Sequence, residues 1–324
     1  MRICSFLPSA TETLYALGLG DSVVGVTYEC DFPAEVKSKP VVVHTKLPRS
    51  SSPGEIDRLV REFVARGESL YRVDIELLAQ LQPDLIVTQD LCHVCAASPD
   101  DLSSALSALP GSPRVLSLSP RTVGDLWSDI VLLGEAADRV QEARELVSEL
   151  QRRVTAVRKA VADAPRPRVV CLEWLDPPFV AGHWAPEMVD FAGGRDVLGR
   201  AGSPSFRVDW QDVVRSEADT VVLMPCGYDL EQTMTEFAGL ALPNGWGDLP
   251  AVRRGQVFAV DAAGYCSRPG PRVATGIEML ASVLHPDRAS FPRPARSVEK
   301  AVRSPQPEAG GRKAAPNRTA PSDF

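Results

Sequence analysis

Val140-Gln141-Glu142-Ala143-Arg144-Glu145-Leu146-Val147-Ser148-Glu149-Leu150-Gln151-Arg152-Arg153-Val154-Thr155-Ala156-Val157-Arg158-Lys159-Ala160-Val161-Ala162-Asp163-Ala164 separates two halves of mixed strand and helix patterns. Apolar residues recur at helical spacing, at Val140, Ala143, Leu146, Val147, Leu150, Val154, Val157 and Val161, with charges between them. A helix over these 25 residues would run about 37 Å at 1.5 Å per residue, long enough to cross a whole domain. Pro165 and Pro167 end it. The competing reading is one more surface helix of a single domain. Its position, alone between two halves of mixed strand and helix, favours a rigid connector.

Toward the amino terminus, short apolar runs alternate with helical patterns. Strands are expected at Arg2–Phe6, Val23–Val26, Val41–Val43, Asp84–Thr88 and Arg114–Leu118. Helices are expected at Thr11–Leu19, capped by Ser9 or Thr11 and closed by Gly20, at Ile75–Leu81, and from Val123. Beyond the connector the theme repeats. Strands fall at Arg168–Glu173, Thr220–Met224 and Val257–Val260, and helices at Ala185–Ala192, from Trp210 and at Pro271–Leu284. Strands separated by helices imply parallel α/β layers. The expected organisation is an α/β lobe over 1–139, a connecting helix over 140–164 and a second α/β lobe over 165–290. Residues 291–324, rich in Pro, Arg, Ala and Ser, are expected to form a disordered tail.

A chain of 324 residues, 44% hydrophobic, has room for two such lobes. Its formal charge of −7 argues against nucleic-acid binding, which needs a basic face. No apolar run reaches the ~18 residues of a membrane span. The opening Met1-Arg2-Ile3-Cys4-Ser5-Phe6-Leu7 is cut off by Pro8 and reads as a buried strand instead of a secretory signal, so a cytoplasmic location is expected. Seven cysteines then default to reduced thiols.

Ligands of parallel α/β layers collect beyond the carboxyl ends of the strands. That rule gathers Tyr28 and Cys30 after the second strand, Gln89 to Cys95 after the Asp84–Thr88 strand, and Glu173 with the Pro177–Trp184 loop. It adds Cys226 after Met224, and Tyr265, Cys266 and Arg268 after Val260. Five of the seven cysteines (Cys30, Cys92, Cys95, Cys226 and Cys266) and most aromatics thus fall on one rim. Cys92-His93-Val94-Cys95 could present two thiolates to one metal, but a second CxxC is absent. Cys30, Cys226, Cys266 or His183 would have to complete the site. A thiolate-bound metal or iron–sulfur cluster, a redox pair and unliganded loop thiols all stay open. Glu173, Glu187, Asp209 and His183 show no triad or metalloprotease ordering, and Glu187, near a helix start, reads as a cap. Trp127 and Trp246 read as packing residues.

Ser5-Phe6-Leu7-Pro8-Ser9-Ala10-Thr11-Glu12, Leu81-Gln82-Pro83-Asp84-Leu85-Ile86, Pro177-Pro178-Phe179-Val180-Ala181-Gly182 and Ser267-Arg268-Pro269-Gly270-Pro271-Arg272 resemble successive motifs of the cobalamin-binding substrate proteins of ABC importers. That family includes iron-siderophore and haem binders, and the resemblance covers about residues 1–287 in order. It implies two lobes joined by a rigid helix, a ligand held between them with little hinge motion, and aromatics from both lobes sandwiching a corrin ring. Matching positions are Tyr28, Phe179, Trp210 and Tyr265. The expected function is non-catalytic binding of a corrinoid or other metal chelate in the interlobe cleft. Tyr28, Phe179, Trp184, Trp210 and Tyr265 would supply apolar faces, and Arg207 or Arg268 would meet peripheral anionic groups. Membrane subunits of an importer are the implied partners. The alternative is a cytoplasmic enzyme or metal carrier that reuses the fold around a thiolate centre.

Overall fold

A computed structural model describes residues 1–48, 52–89, 106, 109 and 111–301. The first sheet contains β1 (Ile3–Ser5), β2 (Val23–Thr27), β3 (Val41–Thr45), β4 (Tyr71–Val73), β5 (Leu85–Gln89) and β6 (Arg114–Leu118). Their order is β4-β3-β2-β1-β5-β6. All neighbours are parallel except β3 and β4. The second sheet contains β7 (Arg168–Leu175), β8 (Pro178–Val180), β9 (Arg195–Asp196), β10 (Phe206–Arg207), β11 (Thr220–Leu223), β12 (Val257–Val260) and β13 (Val298–Lys300). Its order is β10-β8-β7-β11-β12-β13, with β9 beside β7. Here β7, β11 and β12 are parallel, while β8, β10 and β13 add antiparallel edges. The two lobes are therefore α/β as expected, but the first sheet has one antiparallel edge and the second is antiparallel at both edges.

Strand alternation sets the layers. Ile3, Leu85 and Val87 point into one core, and their neighbours Cys4 and Ile86 point into another on the opposite face. In β7, Val169 and Cys171 face one side while Val170 and Leu172 face the other. The core that holds Ile3 and Leu85 is the same one that holds Val169, Val260 and Ile277. It runs uninterrupted from lobe to lobe. The helix Val140–Ala160 carries it across by burying Ala143, Leu150, Val154 and Val157. On one side this helix packs on the Val123–Ala136 helix, and on the other on the Val273–Leu284 helix. Arg153 fixes the second contact, donating to Glu278 through Nε (2.9 Å) and Nη2 (2.6 Å) and to Thr275 Oγ1 (2.8 Å).

The helix ends at Ala160, four residues before the expected limit. The expected tail starts too early. Residues Val298–Lys300 pair with β12, and Ser297 and Ala301 are buried. Backbone hydrogen bonds onto an open sheet edge hold this segment where bulky side chains are lacking: Asp261 N donates to Ser297 O (2.9 Å) and Ala301 N to Val257 O (2.9 Å). Residues 302–324 lie outside the described part. Among the described residues no helix is long and apolar enough to cross a membrane.

Candidate functional site in the interlobe cleft

The carboxyl ends of the central strands converge between the lobes. Gln89, the last residue of β5, comes from the first lobe, and Glu173, Met224 and Cys226 come from the ends of β7 and β11. With His183, Trp184, Ser267 and Pro269 they line a cavity of about 80 Å³. Trp184 contributes a buried part of the lining. The indole is buried and donates from Nε1 to Cys266 O (2.7 Å), so its polar atom is satisfied where the rest of the ring is dry. Gly182 lets this wall assemble, because a Cβ there would collide with the backbone of Pro204 and Ser205.

Beside the cavity the lobes are joined by charge. Glu12, buried in the Pro8–Ala16 helix, accepts from Arg272 Nε (2.8 Å) and Nη2 (2.5 Å). Arg268 donates to Asp31 (2.5 Å) and to Glu29 O (2.9 Å), and lies 3.6 Å from Glu12. Arg272 is flanked by the rings of Phe32 (4.4 Å) and Tyr265 (5.6 Å). Burial pushes the Glu12 carboxyl up and the two guanidinium groups pull it back only in part. A third tie crosses the lobes when Val123 N donates to Glu187 Oε2 (2.6 Å). Glu187 is thus a cap, as read from sequence, but of the Val123–Ala136 helix and not of its own.

The expected site residues separate into groups. Tyr28 is 36% exposed at the end of β2 and donates to Glu29 Oε1 (2.9 Å), while burial pushes its phenol above the ordinary range. Phe179 on β8 is half-buried, opposite Arg207 of β10 in register. Arg207 is exposed. Tyr265 stands against Arg272 at the lobe junction. Two expectations need correction. Arg268 is consumed by the interlobe ion cluster, with its charge already met by Asp31 and Glu12. Trp210 packs edge-on against Trp246 (5.7 Å, 88°) and joins the core on the outer face of the second sheet.

The described cysteines, taken by themselves, form no metal centre. Cys92 and Cys95 lie outside the described residues. Among the described residues no group of three His, Cys, Asp or Glu side chains could hold a metal ion. Cys30 is buried 3.1 Å from Thr11 Oγ1, and burial pushes its thiol up to about 11. Cys266 is also buried, and its thiol is pushed up. Desolvation favours neutral thiols, the reverse of what a metal ligand needs. Only Cys226 is half-exposed among the described cysteines, on the cavity wall.

Residues the sequence reading left without a binding role include Glu12, Arg272 and Gln89, while His183 was considered only as a metal ligand. Gln89, Glu173 and His183 were already on the strand-end rim, so that signal was present. A larger recess of about 420 Å³ lies elsewhere, lined by Thr155, Arg158, Lys159, Arg166, Asp190 and Phe191. Arg158 and Lys159 belong to the last turn of the connecting helix, where cations complement its dipole.

Comparison with known proteins agrees with this architecture. The chain is 23% identical over 291 residues to the uncharacterized ABC transporter substrate-binding lipoprotein YvrC of Bacillus subtilis, covering 88% of this chain and 80% of that one. It is 23% identical over 280 residues to the vitamin B12-binding protein of Vibrio parahaemolyticus, covering 85% and 86%. A periplasmic haem-binding protein from Pseudomonas aeruginosa superposes with a TM-score of 0.70 at 18% identity, covering 94% of this chain and 99% of that one. The periplasmic vitamin B12-binding protein BtuF of Vibrio cholerae gives 0.64 at 21%, covering 87% and 96%. These relatives overturn the expected cytoplasmic location, since they are periplasmic proteins and a lipoprotein. A model of the periplasmic binding proteins, which bind and do not catalyse, matches residues 3–263, and the chain belongs to that family.

Proposed function

We propose that this chain is the substrate-binding component of an ABC importer, acts outside the cytoplasmic membrane, and carries a corrinoid or related metal chelate between its lobes. In this reading residues 1–139 and 165–301 form the two lobes, with the Val140–Ala160 helix as the connector. The observation that carries the reading is the cavity where the strand ends of both lobes meet, lined by Gln89 from one lobe and Trp184 from the other. The vitamin B12-binding and haem-binding relatives support the ligand class. At about 80 Å³ the cavity is well below the ~300–1,000 Å³ of pockets that enclose a drug-sized ligand. A macrocycle would therefore lie in the open cleft, and the cavity would receive only an axial or peripheral group. Tyr28, Phe179 and Tyr265 would supply apolar faces, and exposed Arg207 would meet peripheral anionic groups. A thiolate enzyme or metal carrier is not favoured, given the buried neutral thiols.

Equilibrium titration with aquocobinamide and with iron(III) protoporphyrin, followed by tryptophan fluorescence, tests this. One-to-one saturation is expected with at least one of them. Tyr28→Ala and Phe179→Ala should each weaken it by about 1–3 kcal/mol, the usual cost of losing an aromatic anchor. Absence of saturation with both chelates would refute the ligand class.

A further inference from the structure

The Pro53–Ala65 helix belongs to the first lobe but touches the second. Ser52 caps it, its Oγ accepting from Glu55 N (3.4 Å). Gly54 follows in the first turn, although glycine forms helix poorly. The opposing lobe gives the reason. A Cβ at Gly54 would lie 3.2 Å from Asp176 Oδ2 and 3.8 Å from its Cγ, so glycine is what lets Asp176 come this near. Asp176 stands in the turn between β7 and β8, three residues beyond Glu173 of the cavity lining. Trp174 steadies that turn: its Nε1 donates to Asp176 O (3.0 Å), and its ring meets that of Tyr228 edge-on (5.6 Å, 72°). Tyr228 follows the cavity residue Cys226 by two positions. On the first lobe, the chain reaches the helix from the carboxyl end of β3, the same side of the sheet on which Tyr28 and Gln89 end β2 and β5. Helix and turn therefore meet across one flank of the interlobe cleft.

Elsewhere the helix is loosely held. Among the described α-helices it alone buries no residue completely. Val60 and Phe63, in its second half, rest half-buried on the first-lobe core that includes Cys4 and Ile86. Its first turn meets the second lobe by contact alone, since among the described residues no ion pair or hydrogen bond joins Asp176 to it. Such a contact parts at little cost. The lobes do not part so easily, because they share one core and the buried Glu12–Arg272 pair. Few buried apolar contacts mark the segment that opens locally, and here that segment is this helix.

We propose that the Pro53–Ala65 helix is a movable strap across one flank of the cleft, and that large cargo passes when it swings off Asp176 while the lobes stay fixed. The identity of the cargo rests on the chelate-binding reading above, whereas the strap rests on the contact between the lobes. A contact that opens readily sets the route of exchange and leaves affinity to the cleft itself.

Two variants move the strap in opposite directions. Gly54→Cys combined with Asp176→Cys can be closed by oxidation, because the facing atoms are near enough for a disulfide with slight adjustment. Gly54→Leu pushes the helix off Asp176 and, leucine being the better helix former, keeps it helical. The readout is the rate at which a bulky maleimide labels Cys226, the half-exposed cavity thiol, followed by peptide mass spectrometry against wild type treated alike. The oxidised pair should slow that labelling by about 10-fold or more, and should slow association and dissociation of aquocobinamide or iron(III) protoporphyrin alike. Gly54→Leu should speed labelling several-fold. Labelling unchanged in either variant overturns the strap, as does a folded pair that fails to oxidise; if the pair does not fold, Gly54→Leu decides alone. A labelling response with neither chelate bound upholds the strap and refutes the chelate reading. Chelate binding without a labelling response does the reverse.

Discussion

Replacing Glu12 by Gln tests whether the interlobe ion cluster works through burial. The Glu12 side chain is 3% exposed and that of Arg272 is 19% exposed, and their two hydrogen bonds are 2.8 and 2.5 Å long. Removing the carboxylate leaves Arg272 partly buried without its counter-charge and takes away the second neighbour of Arg268. Breaking a buried pair from one side costs about 3–5 kcal/mol, because the remaining charge is left desolvated. Chains of 150–250 residues lose roughly 2–4 °C per kcal/mol, so a fall in Tm of about 6–20 °C is expected. Asp31→Asn provides the contrast. Asp31 pairs with Arg268 at 2.5 Å but is 53% exposed, which places its loss at about 1 kcal/mol or less. The double change Glu12→Gln with Arg272→Met should recover much of the lost stability, since no orphaned charge remains. Urea unfolding followed by tryptophan fluorescence measures all three. If Glu12→Gln costs no more than Asp31→Asn, the burial argument fails.

Two other outcomes follow from single groups. Burial, aided by Asp176, pushes the Glu236 carboxyl up to about 7, and neither of its oxygens has a hydrogen-bond partner among the described residues. The folded state then holds a proton that the unfolded state releases near 4.5, so this group's contribution to stability is present below about 4.5 and lost as pH rises to about 7. Glu236→Gln should flatten that slope and raise stability at pH 8, by on the order of 3 kcal/mol at most; an unchanged slope in pH-dependent unfolding would contradict it. Ending the chain at Pro294 removes β13 and its hydrogen bonds to β12, which should cost roughly 2–4 kcal/mol. Thermal melts indistinguishable from the full chain would show the edge strand to be idle.

Much of the fold was legible because its signals are local. The apolar stripe of Val140–Ala160 is continuous, and β6, β12 and the Trp210–Arg215 helix begin and end where their apolar runs do. Elements that depend on a partner were not legible. β8, β9, β10 and β13 have two or three residues each and exist only because β7, β8 or β12 offers an edge. The Pro53–Ala65 helix went unread although Ser52 caps it and Pro53 starts it. It buries no residue completely, so its apolar positions are diluted among charges. At the site, the strand-end rule found the rim but could not tell which face a side chain takes. Trp210 follows a β-strand toward the outer core, and Arg268 meets acids from a loop more than 230 residues away. Such pairings are created by folding and leave no mark in spacing.

The unbroken core through the Val140–Ala160 helix bears on how such a receptor holds its cargo. A protein whose lobes swing freely spends part of its time in a shape that cannot bind, and its apparent affinity falls by that fraction. Here the lobes share one interior, so opening them would expose apolar surface to water and should merge with global unfolding. Capture then proceeds at nearly the intrinsic affinity of the cleft. Residence time is governed by the contacts themselves, and unloading on a faster schedule requires strain applied to the lobes from outside.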